Sequence, residues 1–510
     1  MLLRGLCVLV LLAGAPAQTA NLALTGDPYL AGGLFTNPVL PEEGQPVAIT
    51  VRATADGLDA EPIPARVIIQ NAAGRAHYTG ALALKPVEAG FETTFCWHAP
   101  GNGLYRVRAM LDPDNAMAET DESDNATEIL LPIIAAGPNS VLHFPWYRET
   151  PFARWTTCVT SVKGDADKAR LAERGVVPLN WEYGGMSWSY YDKERAETEP
   201  GAVLEEIEAL FYEKFARDGV HGFGIDEVGG YPGSFKLRAS IASLDGLVRA
   251  RREKPDRFFA VWNAGGLRPE IGARARQGAN LLLLETYLWR ALPDELGTED
   301  VLAALRARVA PYIRNTDLFQ PAYGNACYTL LALDTSERPD RIDLGELEHL
   351  VRYIRREFPE MRGIAWYNGG YGSSFTGLEV TPKTDRKHDA VRRKADELCL
   401  RYFIMPCVTL MQGALWLDKR EGRPVLTAAV SNIGAIDSGP VEVEFRAGGT
   451  PLGTRRIERV PAGSGRNRDR ALVRYPVPHG AGPHEFAAVI TRAGGATILD
   501  ARATLFRHMP

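Results

Sequence analysis

Two adjacent carboxylates end an otherwise apolar stretch of this chain. Residues 219–230 read GVHGFGIDEVGG, in which small and apolar residues precede Asp226 and Glu227, and two glycines follow. A charged side chain at the end of a buried segment costs free energy unless it is paired or used. Carboxyl groups can donate a proton, accept one or attack carbon. We therefore expect this stretch to carry part of a reactive site.

Polar and aromatic residues recur at the end of several other apolar stretches. These endings are Asn180-Trp181-Glu182-Tyr183, Trp262-Asn263, Glu285-Thr286-Tyr287, Tyr323-Gly324-Asn325 and Trp366-Tyr367-Asn368. Chance would scatter acids and amides along the stretches. If the stretches are parallel strands, their ends meet at one edge, and the pattern predicts a single site there.

The elements that must position these residues alternate between short apolar strands and amphipathic helices. In residues 201–219 and 343–360 the apolar residues recur at helical spacing. Alternation of strand and helix predicts a parallel sheet covered by helices. The number of repeats over residues 140–404 favours a central (β/α)8 TIM-type barrel. A doubly wound open sheet is the alternative, but the Gly-rich phosphate loop typical of it is missing.

The number of the Asp226 strand stays open at this point. VLHFPW and WTTCVTS both look like strands before the first clear helix, and too few residues separate them for a parallel crossover. One of them could be a linker strand or an incomplete first unit. The Asp226 strand is then the third or the fourth.

Side-chain alternation predicts which residues face the barrel interior. In GFGIDEV, Gly222, Gly224 and Asp226 share one face, and the larger Phe223 and Ile225 share the other with the next acid. Small residues should fill the barrel and large ones should meet the helices, so Asp226 points into the mouth. By the same rule Asn180 and Glu182 share a face, as do Leu281, Leu283, Glu285 and Tyr287.

Carboxylates at a mouth lined with aromatic residues suit the hydrolysis of a glycosidic bond. One acid protonates the leaving oxygen, and a second carboxylate attacks or activates water. Seven of the nine tryptophans lie within residues 140–404. We expect Asp226 and Glu285 to form the pair, with Glu227 and Glu182 as competitors for the second role. The expected substrate contacts are Asn180, Trp181, Trp262, Asn263, Tyr287, Tyr323, Trp366 and Asn368. No cofactor and no metal are expected.

The segments that bracket the barrel show the period-two pattern of β-strands. Residues 21–135 and 405–510 each predict an immunoglobulin-like β-sandwich. The hairpin over residues 104–133 resembles the closing hairpin of cell-adhesion-related (CARDB-like) modules of secreted bacterial proteins. Its matching residues are Asp112, Asp114, Asn115, Glu119, Asp124 and Asn125. Turn capping by Asp and Asn is the favoured interpretation of this acidic loop, and calcium binding over residues 112–125 stays open.

The later sandwich resembles the same kind of module. The matching residues are Asn432-Ile433-Gly434 and Pro461-Ala462-Gly463. Neither sandwich contains a reactive constellation, so spacing and docking are the expected roles, against the barrel or against cell-surface glycan.

The central segment resembles secreted bacterial glycoside hydrolases with a (β/α)8 barrel. The string DGVHGFGIDEV is similar to the Asp-bearing strand of several such families, which implies a catalytic carboxylate at Asp226. The Asn-Glu pair of the commonest retaining enzymes is missing, and so is the chitinase-type run of alternating acids. Sugar specificity, endo or exo action and stereochemistry therefore stay open.

Composition and targeting signals narrow the class of protein. Residues 1–20 combine one Arg, an apolar run and Ala15-Pro16-Ala17, which predicts a secretory signal peptide cleaved near residue 17–20 and a secreted or periplasmic protein. A net charge of -5 over 510 residues gives no reason to expect nucleic acid, and no later run predicts membrane insertion.

Two other functional classes remain to be weighed. A non-catalytic glycan-binding or cell-surface adhesion protein could use the same barrel as a platform. A metal-dependent hydrolase is disfavoured because histidine is nearly absent from the strand ends.

Overall fold

The computed structural model describes most of the chain after residue 20. The described residues are 21–24, 33–57, 62–88, 90–117, 119–136, 142–146, 155–159, 164–173, 175–183, 191–264, 268–286, 299–304, 306–307, 328–334, 343–359, 361, 363–367, 382–420, 422–463, 470–477 and 484–507. The predicted signal peptide lies outside them.

Within the described residues, the first part of the chain forms eight strands, β1 to β8. They are Asn21–Leu24, Leu34–Asn37, Pro46–Asp56, Ile63–Asn71, Ala76–Val87, Gly90–His98, Gly103–Leu111 and Ala126–Ile133. All pairings are antiparallel, in the order β1-β3-β6-β5-β4-β7-β8, with β2 on β3. Alternate residues of β3, β4 and β7 are buried in one apolar cluster, because successive side chains of a strand point to opposite faces.

In the part of the middle segment that the structure describes, eight strands, β9 to β16, form a parallel sheet. Its strands are Leu142–Trp146, Cys158–Val159, Val177–Tyr183, Gly222–Val228, Phe258–Asn263, Leu281–Thr286, Tyr328–Asp334 and Gly363–Tyr367. The order is β10-β11-β12-β13-β14-β15-β16-β9, and every pairing is parallel. Both early strand candidates belong to the sheet, so the Asp226 strand is its fourth along the chain.

The parallel sheet is nearly closed. Strands β9 and β10 stand at opposite ends of the hydrogen-bonded order, yet their Cα atoms come within 8 Å of each other. Such an approach requires the sheet to curl so that its two edges meet.

Helices cover one face of this sheet. They are α1 (Asp165–Glu173), α2 (Lys193–Thr198), α3 (Pro200–Ala216), α4 (Phe235–Glu253), α5 (Pro269–Gly278), α6 (299–304), α7 (Leu344–Glu357) and α8 (Pro382–Cys399), which a π-helical turn (Leu400–Ile404) continues. Side chains cap α4 and α7: Ser234 accepts from the Leu237 N–H, and Asp343 accepts from the Gly345 and Glu346 N–H groups. Among the described helices none has the length and apolar character of a transmembrane span.

The last part of the chain forms strands β17 to β25 in two sheets. They are Cys407–Thr409, Leu415–Arg420, Arg423–Asn432, Val441–Ala447, Thr450–Ile457, Ala471–Pro476, His484–Ala493, Thr497–Ile498 and Arg502–Arg507. The chain just after β19 is fixed by the fully buried side-chain amide of Asn432. Its Oδ1 accepts from the Cys407 and Gly434 N–H groups, and its Nδ2 donates to the Ile436 and Val460 carbonyls.

Polar contacts and one small apolar cluster connect the three parts of the chain. Arg355 of α7 is almost fully buried, and its guanidinium donates to the carbonyl oxygens of Phe358, Pro359, Met361, Tyr402 and Ile433. The Asn102 side chain donates to Asp437 at 3.3 Å and accepts from its N–H at 2.9 Å. Val39 shares a small apolar cluster with Val159, Leu171 and Val176.

Candidate functional site

Aromatic contacts identify the face of the parallel sheet that meets the helices. Phe215 of α3 lies edge-to-face against Phe223 of β12 and Phe259 of β13, with ring centroids 5.3 and 6.0 Å apart. Since side chains alternate along a strand, Gly222, Gly224 and Asp226 lie on the opposite face. The structure therefore places Asp226 away from the helices, as the alternation predicted.

Glu285 lies on the same face and at the same edge as Asp226. The register pairs Ala260 with Leu281 and Trp262 with Leu283, so Glu285 continues the face that is turned away from the helices. Both acids stand at the carboxyl ends of their strands, β12 and β14. Strand β13 lies between β12 and β14, so the axes of β12 and β14 are about 10 Å apart. The predicted pair is thus brought to one edge and one face.

The Asp226 carboxyl is buried and holds its proton to an unusually high pH. Its residue surface is only 6% exposed. Burial raises the pKa of Asp226 from 3.8 to about 7, because a desolvated carboxylate is unfavourable. The Glu227 N–H, 2.7 Å from Oδ1, donates a hydrogen bond that lowers the pKa, the neighbouring Trp181 side chain lowers it as well, and the Glu227 charge raises it. A carboxyl with this pKa can give or take a proton near neutral pH.

Gly224 makes room for the tryptophan that contacts Asp226. A Cβ atom at Gly224 would lie 1.9 Å from the Trp181 ring, so only glycine fits beside the indole. Trp181 in turn lies edge-to-face with Trp262, with centroids 6.0 Å apart. Trp262 is fully buried against Trp181 and exposes no surface to a substrate, whereas the sequence predicted a substrate contact there.

A β-bulge displaces the end of β12. Its register with β13 shifts between Ile225 and Val228, so Asp226 and Glu227 together oppose Trp262. Glu227 has φ of +49°, in the left-handed region that side chains other than Gly, Asn and Asp rarely adopt. Backbone strain of this kind is often concentrated at functional sites. At this bulge the Glu227 N–H donates to the Asp226 carboxyl at 2.7 Å.

The bulge gives a test of what Glu227 contributes. We expect Glu227→Gly to stay within about 1 kcal/mol of wild type, because glycine adopts a positive φ without strain but loses more chain entropy on folding. Glu227→Val should be less stable than the glycine variant by about 1–2 kcal/mol. Urea denaturation measures both. We also expect Glu227→Gly to keep the wild-type activity, because the backbone N–H of residue 227 can still donate to Asp226. A glycine variant that is folded but inactive would show that the Glu227 carboxylate takes part in catalysis.

Glu182 and Asn180 do not join this pair. The register aligns Asn180 with Phe223 and Glu182 with Ile225, which puts both on the helix-facing side. Glu182 accepts from Lys214 of α3 at 2.7 Å, and Asn180 accepts from Lys168 of α1 at 2.6 Å. They line a groove of about 360 Å³ outside the sheet. The structure therefore does not bring these two predicted site residues to Asp226 and Glu285, and both make contacts between the sheet and the helices.

Two further predicted substrate contacts also point toward the helices. Asn263 shares the face of Phe259, is fully buried and donates to the Val228 carbonyl at 2.6 Å, so it holds the end of the neighbouring strand. Trp366 is one residue past Ala365, which the register puts on the Glu285 face, and it is fully buried. Tyr287, Tyr323 and Asn368 lie outside the described residues.

The acidic loop over residues 112–125 is held by hydrogen bonds between its own residues. Asp112 accepts from the Met117 N–H at 2.7 Å, and the Asn125 amide donates to Glu119 and Glu122 at 2.9 Å. In the part of the chain that the structure describes, no group of three or more His, Cys, Asp or Glu residues is arranged to hold a metal ion.

Comparison with known proteins finds distant structural similarity only. No protein-family profile matches the chain, and no curated protein matches it. Solved structures that it resembles include a β-glucuronidase from Bacteroides uniformis, at 12% identity and a TM-score of 0.32, over 96% of this chain and 62% of that one. A cycloisomaltooligosaccharide glucanotransferase from Paenibacillus sp., complexed with cycloisomaltoheptaose, gives 8% identity and a TM-score of 0.33 over 93% and 71%.

A module of the predicted flanking type is also among the similar structures. A CARDB domain from Pyrococcus furiosus, solved with di-metal ions, gives 18% identity and a TM-score of 0.18 over 23% of this chain and 97% of that one. The chain spans less than two thirds of the β-glucuronidase. With TM-scores of 0.18 to 0.33, these similarities assign neither fold nor activity.

Proposed function

We propose that this chain is a secreted glycoside hydrolase that cleaves O-glycosidic bonds of an oligo- or polysaccharide. Its nearly closed parallel sheet is proposed to be a (β/α)8 barrel between two immunoglobulin-like β-sandwiches. The approach of β9 to β10 supports closure of the barrel. The predicted leader over residues 1–20 supports secretion.

One observation carries the proposal of activity. Asp226 is a buried carboxyl with a pKa of about 7, on the same face and edge of the sheet as Glu285. A glycosidase needs one carboxyl that is protonated near neutral pH and a second that attacks carbon or activates water. The raised pKa suits Asp226 to protonation of the leaving oxygen, which leaves the second role to Glu285.

The surroundings of Asp226 also favour chemistry over a purely structural acid. Among the residues that the structure describes, its pKa is shifted by burial, by the Trp181 side chain, by the Glu227 N–H and by the Glu227 charge, and no cation is among these causes. Glu182, by contrast, is held by Lys214 in an ion pair. A structural acid in a barrel commonly has such a partner, whereas a proton donor must stay able to release and recover its proton.

The test is hydrolysis of a defined panel by the mature chain. Dextran, laminarin, xylan, pectin and aryl glycosides of the common hexoses and hexuronic acids would be incubated with protein lacking residues 1–20. We expect new reducing ends or free aryl alcohol from at least one substrate class, with activity decreasing as the pH rises above about 7 because Asp226 then loses its proton. Binding of a glycan without hydrolysis of any substrate would instead support the glycan-binding platform.

A further inference from the structure

An exposed aromatic ring stands close to the proposed catalytic edge. Tyr231 is 84% exposed, the largest fraction among the large hydrophobic residues that the structure describes as exposed. It follows Asp226 by five residues, in the loop between β12 and α4. Five residues span at most about 17 Å, so the ring lies at the rim of the same edge. An apolar ring held in water contributes little to folding.

The backbone that carries this ring is firmly held on its C-terminal side. Residues Tyr231-Pro232-Gly233-Ser234 form a turn in which the Ser234 N–H donates to the Tyr231 carbonyl at 3.0 Å. Pro232 and Gly233, with φ of +76°, occupy the positions that a type II turn requires. The Ser234 hydroxyl donates to the same carbonyl at 2.7 Å and caps α4.

The N-terminal side of the loop is fixed as well. The Gly229 N–H donates to the Ser240 hydroxyl at 3.2 Å, and that hydroxyl donates to the Gly229 carbonyl at 2.9 Å. At Gly230, with φ of +150°, a Cβ atom would lie 2.7 Å from the Leu237 nitrogen. Contacts with α4 therefore hold the backbone on both sides of Tyr231, while its ring stays open to solvent.

We propose that Tyr231 is an aromatic platform that stacks on a sugar ring of the substrate, one or more units away from the bond held at Asp226. A flat ring on an ordered turn loses little conformational entropy when a ligand stacks on it. The apolar C–H face of a pyranose matches such a ring. This inference rests on the proposed function for its ligand class, and it makes Tyr231 a determinant of specificity for long substrates.

Affinity electrophoresis with the mature chain tests this role separately from catalysis. The Asp226→Asn protein, which is expected to bind without turnover, would be run through gels containing dextran, laminarin, xylan or pectin. We expect at least one polysaccharide to retard it. Adding Tyr231→Ala should raise the apparent Kd about threefold to tenfold, the range expected for one aromatic contact. Adding Tyr231→Phe should leave it unchanged, because stacking needs the ring and not the hydroxyl.

Phe506 provides the matched control, since it is 76% exposed on β25, in the last segment. Phe506→Ala should not change retardation, and each substitution added to the Asp226→Asn protein should leave the Tm of that protein unchanged. Equal retardation with and without the Tyr231 ring would overturn the inference, as would the absence of any retardation. The proposed hydrolysis fails on a different result, the absence of products from the wild-type chain, so the two failures can be told apart.

Discussion

Replacing Asp226 with asparagine is expected to leave a folded protein whose glycoside hydrolysis is lower by about 10²–10⁴-fold. The amide keeps the shape of the carboxyl and can still accept a hydrogen bond, but it cannot transfer a proton. The loss should appear in kcat/KM on the best substrate of the panel. It should be smaller on dinitrophenyl glycosides, whose leaving groups need no protonation.

The same substitution has an expected effect on stability whose sign depends on pH. The carboxyl has a pKa of about 7 in the folded protein and 3.8 as its ordinary value. Between these pH values the folded state binds a proton that the unfolded chain has released, so the free energy of unfolding falls as the pH rises through this window. Asparagine does not titrate and should therefore stabilise the protein at pH 8 by up to about 4 kcal/mol, with little effect at pH 4.

Thermal unfolding of both proteins at pH 4 and pH 8 measures this difference. Glu182→Gln is the control, because Glu182 is an acid of the neighbouring strand that is ion-paired on the helix-facing side. That variant should keep activity and show no gain at pH 8. Full activity of the Asp226→Asn protein would show that Asp226 takes no part in catalysis. If the stability of this variant and of the wild type depended on pH in the same way, the wild-type Asp226 carboxyl would be ionised at neutral pH.

The placement of Asp226 could be predicted from sequence because it depends on local rules. Alternation in GFGIDEV separates Gly224 and Asp226 from Phe223, and the contact of Phe223 with Phe215 confirms which side meets the helices. Glu285 follows from the same rule, once the strands are parallel and in order. The parallel sheet itself was predictable from the alternation of apolar runs and amphipathic helices.

The roles of Asn180 and Glu182 could not be predicted in this way. Their partners Lys168 and Lys214 lie on different helices, α1 and α3. No local sequence pattern predicts a hydrogen bond or an ion pair between a strand and a helix. The expectation that polar residues at strand ends all face the mouth was too broad, because alternation sends every second one outward. Sharing a face was correctly inferred, but the choice of face needed the packing of the helices.

The features that tune Asp226 were also beyond the sequence. A β-bulge interrupts the alternation of side chains between the two faces of β12 at Glu227. The sequence Asp-Glu does not predict that the glutamate has a positive φ. The Trp181 contact depends on the register of β11 with β12, which puts Trp181 beside Gly224. A glycine on the inner face of a strand is the available signal, since it often marks a close approach of a neighbouring group.

Glu285→Gln is expected to lower the rate of hydrolysis by about 10²–10⁴-fold, as Asp226→Asn does. Unlike the loss in Asp226→Asn, this loss should be equally large on every substrate. Glu285 is the proposed nucleophile or general base, and neither role depends on how well the leaving group departs. Loss on dinitrophenyl glycosides as well as on oligosaccharides would therefore separate its role from that of Asp226. The double variant should be no slower than the slower single variant by more than a small factor, because residues that act in one step are not additive.

Glu346→Gln is the matched control for this experiment. Glu285 and Glu346 are both 8% exposed, but Glu346 lies on α7, in the helical layer, where burial raises the pKa of Glu346. If the amides at positions 285 and 346 lowered activity equally, the effect would come from placing an amide in a buried site and not from lost chemistry.

If Glu285→Gln alone were inactive, adding azide to the Glu285→Ala protein would identify the role of Glu285. Formation of a glycosyl azide whose anomeric configuration is opposite to that of the wild-type product would show that Glu285 is the nucleophile of a retaining reaction. A fully active Glu285→Gln would mean that Asp226 works with a different acid, and Glu227, one residue away, would then be the first to test.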